Sequence, residues 1–268
     1  MRWFYQVMSG QIRMRLAYPW GFWIGLGLEV FVVASINWYL WSAVLESRGG
    51  QAFPGYTLRI LVLYSLITSL LRKVQVNTDQ FGGIGDDIYS GSLNKYLVYP
   101  VSYFGFRYAM HLGGSLVSFV QSSLALLLFW VLFALQDMPL PGASSLIQFL
   151  VLVVLGITIR FIMNATLQTM AFWFEQVWSL LILFSFLIML LGGQLIPLDL
   201  YPAWAREVLF YTPFPILAAW PAEALLGKMS WLTFFQVCGV ACVWLVVFNV
   251  IARFSFARGV RNYSGIGA

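Results

Sequence analysis

The feature that most constrains this chain is a series of long apolar runs, separated by stretches that hold most of its charge. A helix needs about 20 predominantly apolar residues to cross a bilayer. Six segments qualify: 20–44, 57–76, 105–135, 145–173, 177–196 and 231–254. Of the 268 residues, 61% are hydrophobic and only 9% are charged, whereas a soluble domain is about half apolar and a quarter charged. With a mean hydropathy of +0.83, too little polar surface remains to cover a water-soluble globule, so lipid must cover part of it. The 12 Trp residues suit anchoring at the membrane–water boundary. The expected fold is all-α: one transmembrane domain over 1–268 with six transmembrane helices.

The distribution of charge separates membrane orientation from nucleic-acid binding. The 15 Lys and Arg are scattered singly or in pairs between the apolar runs, not gathered into a phosphate-binding patch. Arg59 and the Arg72–Lys73 pair flank the second span and can snorkel to its two interfaces. With the N-terminus inside, one face collects Arg2, Arg13, Arg15, Arg72, Lys73, Lys95, Arg107, Arg253, Arg258 and Arg261. The other face holds Arg48, Arg59, Arg206 and Lys228. Basic residues accumulate on the cytoplasmic side of membrane proteins, so both termini are expected in the cytoplasm. The N-terminal stretch is interrupted by Arg13 and Arg15 and followed by a run long enough to span. The first span is thus expected to serve as an uncleaved insertion signal.

Three segments outside the spans carry a pattern of their own. In residues 1–18, Arg2, Gln6, Ser9 and Arg13 form one polar stripe at helical spacing, which suits a helix lying in the cytoplasmic interface; a frayed basic tail is the alternative. In 72–104, Gly82, Gly83 and Gly85 break the chain, Asp86 and Asp87 can cap a helix, and Pro100 ends it. One short helix near 87–97, displaying Ile88, Leu93 and Leu97, is expected there. The outer stretch 194–230 combines several prolines with many apolar groups. A pair of half-helices dipping into the outer leaflet accounts for both, with a compact aromatic cap on the surface as the alternative.

Chemistry is sparse. There is no G-x-x-x-x-G-K-[ST], no G-x-S-x-G and no H-E-x-x-H. Cys238 and Cys242 lack further ligands for a metal, and His111 is the only histidine. No catalytic, cofactor-binding or metal residues are assigned. Glu29 and Arg160 fall near the middle of the first and fourth spans, where ionisable groups are costly and mark function. They are a candidate intramembrane pair; a cavity lining, direct substrate contact and snorkelling remain open. Gly21 and Gly25 match G-x-x-x-G, a weak sign of helix association.

Two local patterns carry a family resemblance. Ile88, Gly91, Leu93, Leu97 and Pro100 follow I-x-x-G-x-L-x-x-x-L-x-x-P, and Gly193, Pro197, Pro202, Pro213, Phe214, Pro221 and Gly227 follow an outer G…P…P…P-F…P…G pattern. Both resemble the membrane-spanning subunit of type-2 ABC exporters, most closely a bacterial subgroup. The resemblance implies a permease of the bacterial plasma (inner) membrane that is not itself an enzyme. It implies partnership with a second permease, same or related, and with a separate ATPase dimer that carries ATP and Mg. The short cytoplasmic helix would dock on that ATPase. An ion-coupled secondary transporter is the alternative, and neither nucleic-acid binding nor a lipid-processing enzyme fits.

Overall fold

The computed structural model describes residues 2–17, 19–76, 83–134, 140–261 and 263. Regular structure within them is helical: α1 (Arg2–Leu16), α2 (Pro19–Ser47), α3 (Leu58–Gln75), α4 (Ile84–Tyr89), α5 (Leu93–Leu97), α6 (Tyr103–Phe129), α7 (Ala143–Gln168), α8 (Trp178–Leu191), α9 (Ala203–Phe210), α10 (Ala219–Leu225) and α11 (Trp231–Arg261). A π-helical turn extends α6 over Trp130–Ala134, and a 3-10 turn extends α7 over Thr169–Phe172. Gly82, one of the expected chain breakers, lies outside the described residues.

Among the described residues, four helices are long and apolar enough to cross a bilayer: those over Trp23–Ser47, Tyr103–Leu132, Ala143–Phe172 and Trp231–Arg261. The chain is an all-α polytopic membrane protein. The other two expected spans are the shorter helices α3 and α8. At 1.5 Å per residue α8 is only about 21 Å long, because the chain turns at Gly192 and Gly193 rather than continuing to 196. Gly193 has φ +75, a conformation that disfavours side chains. A Cβ there would also lie 2.9 Å from Ala219 Cβ.

The second expected span, the one flanked by Arg59 and the Arg72–Lys73 pair, forms the centre of the bundle. Thirteen of the 18 residues of α3 are buried. Its start is fixed by Thr57, whose side chain accepts from Ile60 N–H, and Arg72 and Lys73 occupy its last turn, where cations complement the helix dipole. Its polar side chains are spent on the segment that follows α8. Tyr64 Oη donates to Gly193 O at 2.7 Å, Thr68 Oγ1 to Gln194 O at 3.3 Å, and Gln75 Nε2 to Leu217 O at 2.8 Å.

Part of segment 194–230, residues 215–226 above all, therefore runs inside the bundle. It contains 3-10 turns at Leu198–Leu200 and Pro215–Leu217 besides α9 and α10. One part meets the loop before α3, where Tyr56 Oη donates to Asp199; another meets Gln75, the last residue of α3. The span between those contacts is one α3 length, about 27 Å. Helix α9 is mostly exposed, with only Leu209 buried, whereas every residue of α10 is buried. Gly156 of α7 makes room, since a Cβ there would lie 3.1 Å from Ile216 O.

Helix α1 packs lengthwise and parallel along α6, with Trp3 beside Gly105 and Met8 and Gln11 beside Gly113. A Cβ on Gly113 would stand 2.7 Å from Met8 O and 2.9 Å from Gln11 Cβ. Backbone on one side leaves no room for relief. Gly113→Val is expected to cost about 1–3 kcal/mol through overpacking and to free α1. The check is thermal melting with limited trypsin cleavage at Arg13 and Arg15; an unchanged cleavage rate would contradict the docking.

Candidate functional site

The densest polar construction lies at the end of the bundle formed by α4, α5, the start of α6 and the ends of α7 and α11. Segment 84–97 folds as two short helices, not the single helix expected over 87–97. The break is Gly91, at φ +73: a residue in the left-handed region cannot continue a right-handed helix. Asp86 and Asp87 do not cap the start either. The N-cap position is Gly83, and the buried first N–H groups of the helix, those of Ile84 and Gly85, donate to Gln168 Oε1 at 2.8 and 3.2 Å. The end of α7 thus caps α4, and an uncapped helix start would otherwise leave these donors unsatisfied.

Asp87 is freed for a different task. Its carboxylate accepts from Arg107, from Tyr103 Oη at 2.6 Å and from Ser92 Oγ at 2.8 Å. Arg107 also donates to Gly83 O at 2.9 Å. Both members of the ion pair have side chains only 9% exposed, so each charge depends on the other for solvation. At the other end of α4, Tyr263 Oη donates to Ile88 O at 3.2 Å and Tyr89 Oη to Phe174 O at 2.9 Å. Burial raises the Tyr89 and Tyr263 phenols above their ordinary value, with Asp87 adding to the effect at Tyr263. Both therefore remain donors at neutral pH. The assembly is a platform clamped to α6, α7 and the chain end after α11.

The residues of the sequence pattern divide on this platform. Ile88 is 6% exposed and Leu93 0%, packed with Ile84, Tyr103, Ala165, Ala171, Val177 and Leu181. They are supports rather than displayed groups. Leu97, Val98 and Tyr99 are 43, 84 and 60% exposed and form an apolar tip, followed by exposed Pro100. The sequence reading missed Arg107, Tyr103 and Gln168. Arg107 carried a usable signal, being a lone charge just inside an apolar run and in need of a partner.

Glu29 and Arg160 are not paired. Glu29 bonds Lys73 Nζ at 2.6 Å and accepts from Ser69 Oγ at 3.3 Å. Lys73, in the last turn of α3, meets Glu29 across the α2–α3 contact. Arg160 is 3% exposed, donates to Ser185 Oγ at 3.4 Å, and its Nε has no hydrogen-bond partner among the described residues.

At the far end, the outer pattern residues build the turns of segment 194–230. Pro197 and Pro202 precede the 3-10 turn and α9. Pro213 and Phe214 precede the second 3-10 turn, where Phe214 packs on Phe184. Pro221 sits in the first turn of α10, where its missing N–H is not needed, and Gly227 closes α10 at φ +70. Around them Asp199 accepts from Tyr56 at 2.9 Å and pairs with Arg206 at 2.8 Å. Lys228 donates to Gly55 O at 2.9 Å over the Tyr56 ring. Burial lowers the Lys228 ammonium, and burial with the Asp199 charge raises the Tyr56 phenol. Glu223 is buried in α10 with Oε1 unpartnered among the described residues.

A family model described as ABC-2 family transporter protein matches residues 31–267. The chain belongs to that family. No curated protein matches it. It is thus a multi-pass membrane permease of ABC-2 type, a class that works with an ABC ATPase. Within this permease Asp87→Ala leaves Arg107 buried without its counter-charge, at an expected cost of about 3–5 kcal/mol. Melting in detergent checks this; a loss under 1 kcal/mol would refute a structural ion pair.

Proposed function

We propose that the permease exports its substrate through a pathway formed with a second permease subunit, the same or related, and that the α4–α5 platform docks a separate ATPase dimer. ATP and Mg bind that partner, and no hydrolysis occurs on this chain. The platform faces the cytoplasm together with both termini, in a bacterial plasma membrane, and segment 194–230 forms re-entrant half-helices at the outer face.

One observation carries this reading: the platform is braced on its inner side and apolar on its outer side. Ile88 and Leu93 root it in a packed cluster, and Asp87–Arg107, Gln168 and Tyr263 tie it to three other parts of the bundle. An exposed tip of Leu97, Val98 and Tyr99 remains for a partner groove. Stiff attachment lets a displacement at the tip move α6 and α7 rather than bend a loop. The predominance of Lys and Arg on the faces shared with α1, α6 and the end of α11 supports the cytoplasmic placement.

The roles of the pattern residues are correspondingly distinct. Leu97, Val98, Tyr99 and Pro100 contact the ATPase, Gly91 sets the bend between the helices, and Ile88 and Leu93 hold the tip in place. Val98→Asp with Tyr99→Asp is expected to weaken ATPase binding by about 2 kcal/mol, roughly thirtyfold, with melting unchanged. Leu93→Asp lowers the folded yield instead. Co-purification with the ATPase and substrate export by vesicles read these effects. Normal ATPase binding by the double variant would defeat the docking assignment. Export that survives ATP depletion under a maintained ion gradient would defeat ATP-driven transport.

A further inference from the structure

Two adjoining chambers lie where the second half of α6 and the first half of α7 meet α3 and α10, away from the α4–α5 platform. The outer chamber, about 260 Å³, runs from Leu127 of α6 and Leu146 and Leu150 of α7 to Leu225 of α10. The first three of these side chains are exposed, so the chamber opens between α6 and α7 on the lipid side. The inner chamber, about 20 Å³, ends on Leu70, Leu71 and Val74 of α3. Phe119, Ser123, Leu126 and Phe149 line both, and the chambers meet there.

The two chambers differ in size and in chemistry. A dry apolar cavity of about 150 Å³ holds a benzene ring, so the outer chamber has room for two fused rings. Trp130, Phe119 and Phe149 give it aromatic walls. The two Phe rings stand 6.3 Å apart at 31°, within the range of favourable ring contacts. The inner chamber is the size of one small polar group, about one water molecule. Ser122 lines it, is 4% exposed, and its Oγ has no hydrogen-bond partner among the described residues. A hydroxyl buried in apolar surroundings costs free energy until a partner reaches it. Among the described residues no charged group lines either chamber. The complementary molecule is therefore neutral and aromatic, and it carries one hydrogen-bonding group. A lipid acyl chain can fill the outer chamber but brings no polar atom to Ser122.

We propose that the paired chambers bind a small neutral aromatic alcohol, with fused rings in the outer chamber and the hydroxyl on Ser122. The site is independent of the ATPase and of the direction of transport. Its occupant touches α3, which donates the hydrogen bonds to the segment after α8, and α10, which belongs to that segment. Binding thus holds the two together and raises the melting temperature. One neutral hydrogen bond contributes enough for about a fivefold preference over the same ring system without a hydroxyl.

The full-length permease in detergent is immobilised on scintillation beads with tritiated 2-naphthol, so that only protein-bound ligand is counted. Unlabelled 2-naphthol and naphthalene then compete, with free concentrations corrected for uptake into empty micelles. The wild type should bind 2-naphthol saturably and prefer it about fivefold over naphthalene. Ser122→Ala should lower 2-naphthol to the naphthalene level and leave naphthalene unchanged. Leu146→Trp, at an exposed position on the chamber mouth, should abolish saturable binding of both while the ligand-free protein melts as the wild type does. Leu150→Trp, one turn further along α7, closes the same mouth and replaces it if the first variant folds poorly. Equal competition by the two ligands in the wild type would leave Ser122 to a water molecule and overturn the proposal. An unchanged preference in Ser122→Ala overturns it as well. So does a blocked-mouth variant that keeps 2-naphthol but sheds phospholipid in native mass spectrometry, which would give the outer chamber to an acyl chain.

Discussion

The arrangement depends on satisfying the backbone of segment 194–230 deep inside an apolar bundle. The turn after α8 at Gly193 and Gln194 and the 3-10 turn at Pro215–Leu217 leave carbonyls outside regular α-helices, and such groups have no water to bond in a hydrocarbon setting. Helix α3 supplies the missing donors from Tyr64, Thr68 and Gln75, spread along most of its length. Glycines at 156, 192 and 193 allow backbones to approach closely enough for these bonds to form. The polar side chains of α3 are thus the condition for its central position. A more apolar α3 would cross lipid readily and leave the segment without partners.

That dependence explains which parts of the fold were legible in the sequence. Spans governed by length and hydropathy alone, such as 105–135 and 231–254, correspond to the long helices α6 and α11. The segment expected at 177–196 ends early because the turn at Gly193 needs a left-handed backbone, which hydropathy does not register. The two-helix form of 84–97 was hidden for the same reason: Gly91 sits within a pattern whose apolar spacing suits one continuous helix. Glycine in an apolar run is ambiguous between close packing and a chain turn, and only the surrounding contacts decide.

The polar sites show a second limit of reading along the chain. Asp87 lies next to residues that suggested a helix cap, yet its partner Arg107 follows 20 positions later, beyond Pro100. The carboxylate and guanidinium meet because α4 folds back against the first turns of α6. Glu29 and Arg160 invited pairing as two opposite charges at mid-span, but Lys73 is closer to Glu29 along the antiparallel α2–α3 contact. Depth in the sequence pattern gives a level in the bundle and no azimuth, so several partners at one level compete. Arg160 is buried instead beside α8, with a long bond to Ser185.

Helix α7 connects the two ends of the molecule. At one end Gln168 caps α4, and near its middle Gly156 admits the Ile216–Leu217 backbone that leads into α10. The distance between these two residues is twelve positions, about 18 Å of rigid helix. A displacement of the platform therefore reaches the segment buried beside α3 through one continuous rod and does not depend on a chain of side-chain contacts. If an ATPase moves the platform, the bonds most exposed to strain are those from Gln75 and Tyr64, because they join α3 to a segment that α7 also grips. Helix α3 ends at Gln75, and Val76 after it is extended. A shift of α7 against α3 therefore falls on the hydrogen bonds that hold segment 194–230 in place.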